Sequence, residues 1–216
     1  MKRINKVVLA LLLSVFCLAS FAQPPVSPIK TKFGIKAGLN LSNISNSQDN
    51  IVFTPDMKPG FHAGAMVNIH FGKRREGFDP GTGYFGLQAE LLFSHQGFIF
   101  YNEVFSFGYI TLPVMAKCYI TEGLNIEAGP YFSYLMMVSP NSMDISEKEI
   151  KLSDAKGASD IGVGFGIGYE LPLGLTVNAR YNLGFSDLAS NLAWRNTNIT
   201  VSVGWLFGFS KKTIKE

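Results

Sequence analysis

The chain has 216 residues with 19 basic and 16 acidic side chains, two cysteines, 22 glycines and 18 phenylalanines. It shows no clustered Lys and Arg of the kind a nucleic-acid footprint needs. Nor does it carry enough cysteine for a disulfide scaffold.

Residues 1–22 read as a secretory signal peptide. Lys2, Arg3 and Lys6 form a basic start, Val7 to Leu18 an apolar run, and Ser20-Phe21-Ala22 a small-residue cleavage site. The apolar run is short for a bilayer-spanning helix, and Phe16 before Cys17 argues against lipid attachment at that cysteine. Without this segment, basic and acidic side chains balance at 16 each, and Cys118 is the one remaining cysteine. Residues 23–30 form a proline-containing periplasmic lead-in, residues 31–209 a single barrel domain, and residues 210–216 a short tail.

Eight segments alternate apolar with small or polar side chains, the period of a β-strand. The first, residues 31–41, sets Phe33, Ile35, Ala37, Leu39 and Leu41 against Lys32, Gly34, Lys36, Gly38 and Asn40. The second, residues 60–71, sets Phe61, Val67, Ile69 and Phe71 against His62, Asn68 and His70, after a loop-like stretch at 43–59. The third, 84–94, opposes Phe85, Leu87, Leu91 and Phe93 to Gln88, Glu90 and Ser94. The fourth, 107–120, ends at a tight turn, Thr121-Glu122-Gly123. It contains Pro113, which a central strand tolerates only at a bulge or ladder gap.

The fifth, 124–137, carries Asn125, Glu127, Gly129, Tyr131 and Ser133 on its polar face, and a polar connection at 139–159 follows. The sixth, 160–171, is the most regular: Ile161, Val163, Phe165, Ile167, Tyr169 and Leu171 alternate with Asp160, four glycines and Glu170. The seventh, 175–185, opposes Tyr181 and Leu183 to Asn178, Arg180 and Asn182, and the eighth, 197–209, opposes Val201, Val203 and Trp205 to Thr200 and Ser202.

Each apolar face is continuous while each opposite face holds glycine, amide, hydroxyl and charge. That is the pattern of an all-β, eight-stranded antiparallel up-and-down transmembrane β-barrel, with lipid outside and polar groups within. Short turns alternate with longer connections, which places both termini in the periplasm and the long loops outside the cell.

An eight-stranded barrel has just enough interior for side chains to fill, so enclosed charges must pair. The expected interior network is Lys36, Glu90, Lys117, Glu127, Asp160, Glu170 and Arg180, with Arg180 as partner of Glu127 and Glu170. Phe33, Phe71, Phe85, Phe93, Tyr169 and Phe207 are candidates for interface girdles. Phe98, Phe100, Tyr101, Phe105 and Phe107 are too dense for a polar loop, and they predict either extended strands or an adhesive surface.

No catalytic, cofactor or metal site is expected. Ser94 and His95 point to opposite faces of a strand, and His95 reads as the start of a loop. His62 and His70 stand too far apart along one strand to share an ion. The glycines from 162 to 168 alternate with Val, Phe and Ile, unlike a phosphate loop.

Six segments resemble the outer-membrane β-barrel family common in Bacteroidota and described as PorT-like. They are Phe33 to Asn40, Leu87 to Ser94, Leu112 to Lys117, Glu127 to Tyr131, Gly164 to Glu170 and Ala179 to Gly184. The likeness covers nearly all of the chain after the signal segment and keeps the motifs in order. It implies an integral outer-membrane barrel and no particular activity. One departure is the stretch past Phe209, where many such barrels end on an aromatic residue. The expected role is non-enzymatic, structural or interaction-based, with outer-membrane lipid as surroundings, a protein partner at the extracellular loops, no nucleic acid, and a monomeric state. The alternatives are a periplasmic lipocalin-like binder of small molecules and a narrow outer-membrane channel.

Overall fold

A computed structural model describes residues 30–46, 55–71, 85–100, 103–121, 123–139, 142–145, 148–151, 158–171, 173–186 and 194–207. Ten strands run in chain order: β1 (Lys30–Asn46), β2 (Asp56–Phe71), β3 (Phe85–Phe100), β4 (Glu103–Tyr119), β5 (Leu124–Ser139), β6 (Ser142–Ile145), β7 (Lys148–Lys151), β8 (Ser159–Glu170), β9 (Leu175–Gly184) and β10 (Trp194–Phe207). Eight of them close an antiparallel barrel in the order β1-β10-β9-β8-β5-β4-β3-β2, and β6 and β7 pair as a separate two-stranded sheet. The signal segment, the lead-in up to residue 29 and the tail after Phe207 lie outside the described residues, as do Phe209 and Tyr101.

Closure fixes a stagger. Following partners from Lys30 through His70, Gly86, Lys117, Glu127, Gly166, Arg180 and Thr200 returns to β1 at Asn40, ten residues farther on. A stagger of that size in eight strands requires a tilt of ~40°. Ten residues of so tilted a strand rise ~25 Å, the height of an apolar lipid-facing band. The outward apolar runs have that length, as from Phe85 to Phe93 on β3 or Phe71 to Phe61 on β2.

Exposure confirms which face is which. Ile35, Leu39, Leu91, Phe165, Ile167, Val201 and Val203 are all at least half exposed, while Asn40, Asn68, Gln88, Glu90 and Glu127 are buried. Of the expected girdle aromatics, Phe33, Phe85, Tyr169 and Phe207 are exposed near the end that holds the described termini, whereas Phe71 and Phe93 are half-buried.

The structure extends the expected strands at the opposite end. β3 runs on to Phe100 and β4 starts at Glu103, so His95 lies inside a strand, paired with Gly108, and does not begin a loop. The dense aromatic run belongs to extended strands whose inner faces meet. Phe98 stacks on Phe105 at 4.8 Å and tilts on Phe107 at 5.9 Å, and Phe107 meets Tyr109 edge-on at 6.4 Å. All four are essentially fully buried. Above the lipid band, water surrounds the outer face, so the apolar set turns inward.

Pro113 sits where the ladder opens. Pairing between β3 and β4 skips from Ala89↔Val114 to Leu92↔Thr111, and pairing between β4 and β5 skips from Pro113↔Tyr131 to Ala116↔Ala128, opposite Pro130. Two residues without an amide donor therefore occupy two adjacent gaps, where no ladder bond is lost.

Candidate functional site: the barrel interior and its outer rim

Inward-pointing side chains from seven strands form one chain of alternating charge. Lys36 (β1) donates to Glu90 (β3) at 3.0 Å. Arg180 (β9) donates through one guanidinium nitrogen to Glu90 at 2.8 Å and through Nε to Glu127 (β5) at 2.9 Å. Lys117 (β4) stands 3.8 Å from Glu127 and 3.0 Å from Glu170 (β8). Glu170 also accepts from Tyr119 at 2.7 Å and from Asn68 of β2 at 2.8 Å, and it lies 3.2 Å from His70.

Three cations alternate with three anions, so the ladder is neutral and each buried ion has a counter-ion. Burial of this kind is tolerable only when each ion is paired. The loosest point is the Glu127 Oε2 oxygen, which faces Lys117 at 3.8 Å without a hydrogen bond. Six of the seven interior residues read from the sequence thus meet. The partnership does not follow the sequence reading in one respect: Glu170 pairs with Lys117 and not with Arg180. Arg180 shares a row of strand partners with Gly166 and Glu127, four residues along β8 from Glu170.

Asp160 stands apart from the other six. It accepts from the Tyr131 hydroxyl at 3.0 Å and the Ser186 amide at 3.4 Å, with no cation beside it among the described residues. It belongs to the outer end of β8, above the ladder.

Between ladder and rim lies a polar cavity of about 40 Å³. Lys36, His62, Arg180, Asn182, Asn198 and Thr200 are among its walls. That volume suits a few water molecules and no organic ligand, given ~10–15 Å³ per water. His62 spans Asn40 at 2.6 Å and Ser202 at 2.7 Å, which makes it a structural bridge. Ser94 accepts from Asn40 and Gln96 inside the barrel, while His95 stacks outside on Phe61, so the two form no nucleophile–base pair. Among the described residues no group of His, Cys, Asp and Glu is arranged to hold a metal.

β2 is irregular at the rim, where its register against β3 shifts between Met57 and His62. Side chains of β1 fill the opening: Asn40 donates to the His95 carbonyl at 3.2 Å, and the Ser42 hydroxyl accepts from the Gly97 amide at 2.8 Å. Gly97 has φ 149°, and a Cβ there would strike the Phe105 carbonyl and stand 2.9 Å from Lys58 Cδ. Glycine lets the Lys58 side chain pass. Lys58 lies in a stretch that the sequence reads as loop, and nothing in the alternation singles it out.

A lumen filled by paired charge, with an apolar exterior, reverses the arrangement a lipocalin-like binder needs, and residues 21–190 match the family described as outer membrane protein beta-barrel domain. The chain belongs to that family. Its barrel is therefore an outer-membrane barrel in contact with membrane lipid. No curated protein matches the chain. Among solved structures, Neisserial surface protein A is similar in fold, 13% identical over 81% of this chain and 97% of that chain, with a TM-score of 0.53. Ail, the attachment invasion locus protein of Yersinia pestis, was solved with the heparin analogue sucrose octasulfate. It is 14% identical over 82% of this chain and 99% of that chain, with a TM-score of 0.41.

Proposed function

We propose that this barrel is non-enzymatic and acts through the segments that emerge at the end opposite its termini, which bind a protein partner. The observation that carries this reading is the filled lumen: six paired charges occupy one level and four packed aromatic rings another. Among the described residues neither a catalytic constellation nor a continuous path is left inside, which leaves the connections to carry the role.

Those connections suggest the partner's sign. Between the barrel strands at that end, residues 47–55, 101–102, 140–158 and 185–193 hold Asp49, Asp144, Glu147, Glu149, Asp154 and Asp187 against Lys148, Lys151 and Lys156. Net negative charge favours a basic protein surface through complementary potential. A sulfated ligand of the kind held by Ail would meet repulsion there. The order of the six motifs quoted above supports a PorT-like member of the family, and a monomer fits a barrel closed on itself.

The test is capture of cell-surface partners by the intact barrel and by a variant in which residues 140–158 are replaced by a short Gly-Ser turn. Loss of a partner with the barrel still folded supports the reading. Identical capture by both would remove the longest connection from it. Lipid-ester hydrolysis equal to a blank, in wild type and in His95→Ala alike, is the expected result for the non-enzymatic part.

A further inference from the structure

Among the described residues, Lys58 is the one covered cation whose charge no carboxylate answers. It is 4% exposed, and among the described residues its ammonium has a single partner, His95 Nδ1 at 3.3 Å. Every other buried cation, Lys36, Lys117 and Arg180, sits within 3.0 Å of a carboxylate oxygen. The side chain is covered while its ammonium lies near the molecular surface, where a cation without a counter-ion attracts an anion from the surroundings.

The position indicates what the surroundings are. His95 lies ten residues along β3 from Phe85, which marks the opposite boundary of the lipid-facing band. At ~25 Å for that rise, His95 stands where acyl chains give way to headgroups. Its ring is stacked on Phe61 with centroids 5.5 Å apart and an interplanar angle of 24°, and Phe61 contacts Phe93 at 6.2 Å. Phe61 is half exposed to lipid. Opposite His95 the partner residue is Gly108, which presents no side chain over the ring.

The chemistry at the ring is directional. An ammonium can only donate, so Nδ1 accepts and a neutral imidazole carries its proton on Nε2. Nε2 makes no hydrogen bond among the described residues. It is a donor backed by a positive charge, on an aromatic shelf, at headgroup height.

We propose that Lys58 and His95 form a binding site for the phosphate of a membrane lipid headgroup in the leaflet opposite the termini. His95 Nε2–H donates to a phosphate oxygen, Lys58 supplies the neutralising charge from behind, and Phe61 and Phe93 pack the first part of the acyl chain. A charge-assisted hydrogen bond of this kind discriminates by about tenfold or more.

The test is native mass spectrometry of the purified barrel with a phosphorylated glycolipid, the same glycolipid without phosphate, and inorganic phosphate. His95→Phe keeps the stack on Phe61 and removes both nitrogens; Lys58→Met keeps the chain over Gly97 and removes the charge. Wild type retains the phosphorylated lipid, and each variant retains about tenfold less. Equal retention by wild type and both variants overturns the site. If inorganic phosphate binds as well and displaces the lipid, the site is one for free phosphate and the lipid assignment fails. Imidazole nitrogen NMR on the wild type provides a reading independent of variant folding: phosphorylated lipid must shift His95 Nε2 and leave His62 and His70 unmoved.

Discussion

Arg180 and Glu90, ninety residues apart in the chain, meet at 2.8 Å in the middle of the barrel. The same guanidinium reaches Glu127 at 2.8 Å, so one side chain ties β9 to β3 and β5 across the lumen. Replacing Arg180 by Met removes the cation between the two carboxylates, leaving Glu90 with Lys36 alone at 3.0 Å and Glu127 with Lys117 alone at 3.8 Å. The expected cost is about 3–5 kcal/mol. Urea unfolding of the detergent-folded barrel measures it, and a loss under ~1 kcal/mol would show that the ladder is not a stabilising unit.

Glu90 and Asp160 make a second comparison. Glu90→Gln removes the counter-ion of Lys36 and one of the two carboxylates on Arg180, and it should destabilise strongly. Asp160→Asn keeps an acceptor for Tyr131 and removes a buried charge that has no cation beside it. It should be neutral or stabilising. Unfolding midpoints in the opposite order would contradict the separation of Asp160 from the ladder.

Two glycines of β8 should tolerate alanine differently. A Cβ at Gly162 would fall 2.5 Å from the Tyr131 ring and against the Leu183 carbonyl, neither of which can swing aside. A Cβ at Gly168 first meets the terminal amide of Asn125 at 2.9 Å. Gly162→Ala should cost about 1–3 kcal/mol, and Gly168→Ala less. The same unfolding curves rank them.

Conductance bears on the lumen directly. An ion crossing the barrel must part the paired charges and then pass the Phe98, Phe105 and Phe107 cluster. Planar bilayers containing the wild-type barrel should remain silent at either polarity. Discrete openings would restore the narrow-channel alternative.

Trp205 faces outward, 42% exposed, two residues from the end of β10. In a Trp194→Phe background, lipids brominated near the headgroup should quench its fluorescence more than lipids brominated at the chain end. The reverse order would shift the whole lipid band along the barrel.

The eight strands were readable because lipid demands apolar side chains at every second position, and no soluble core is needed to explain them. That rule loses its hold at the outer rim. From Gly97 to Tyr109 the alternation persists with its sense inverted, so Phe98 and Phe107 point inward. The sequence ends the third strand at residue 94, starts the fourth at 107, and leaves the aromatic run between them open between extended strands and an adhesive surface. The β6–β7 hairpin fell in a segment read only as polar. Interior membership was legible from the period of two, but partnership was not. Which charge meets which depends on the stagger between strands, and that is a property of closure that no single segment contains. The same holds for Lys58, whose path exists because Gly97 on another strand leaves room.

The pairing of β1 with β10 has a consequence for synthesis. The first strand made waits for the last: β10, fourteen residues long, supplies the partner for both β1 and β9. Until it arrives, two rows of backbone amides and carbonyls have no match, and a bilayer offers none. A chain cut short before β10 would therefore not yield a smaller barrel. It would be an open sheet, suited to chaperone capture or proteolysis, and commitment to the membrane would come only with the final strand.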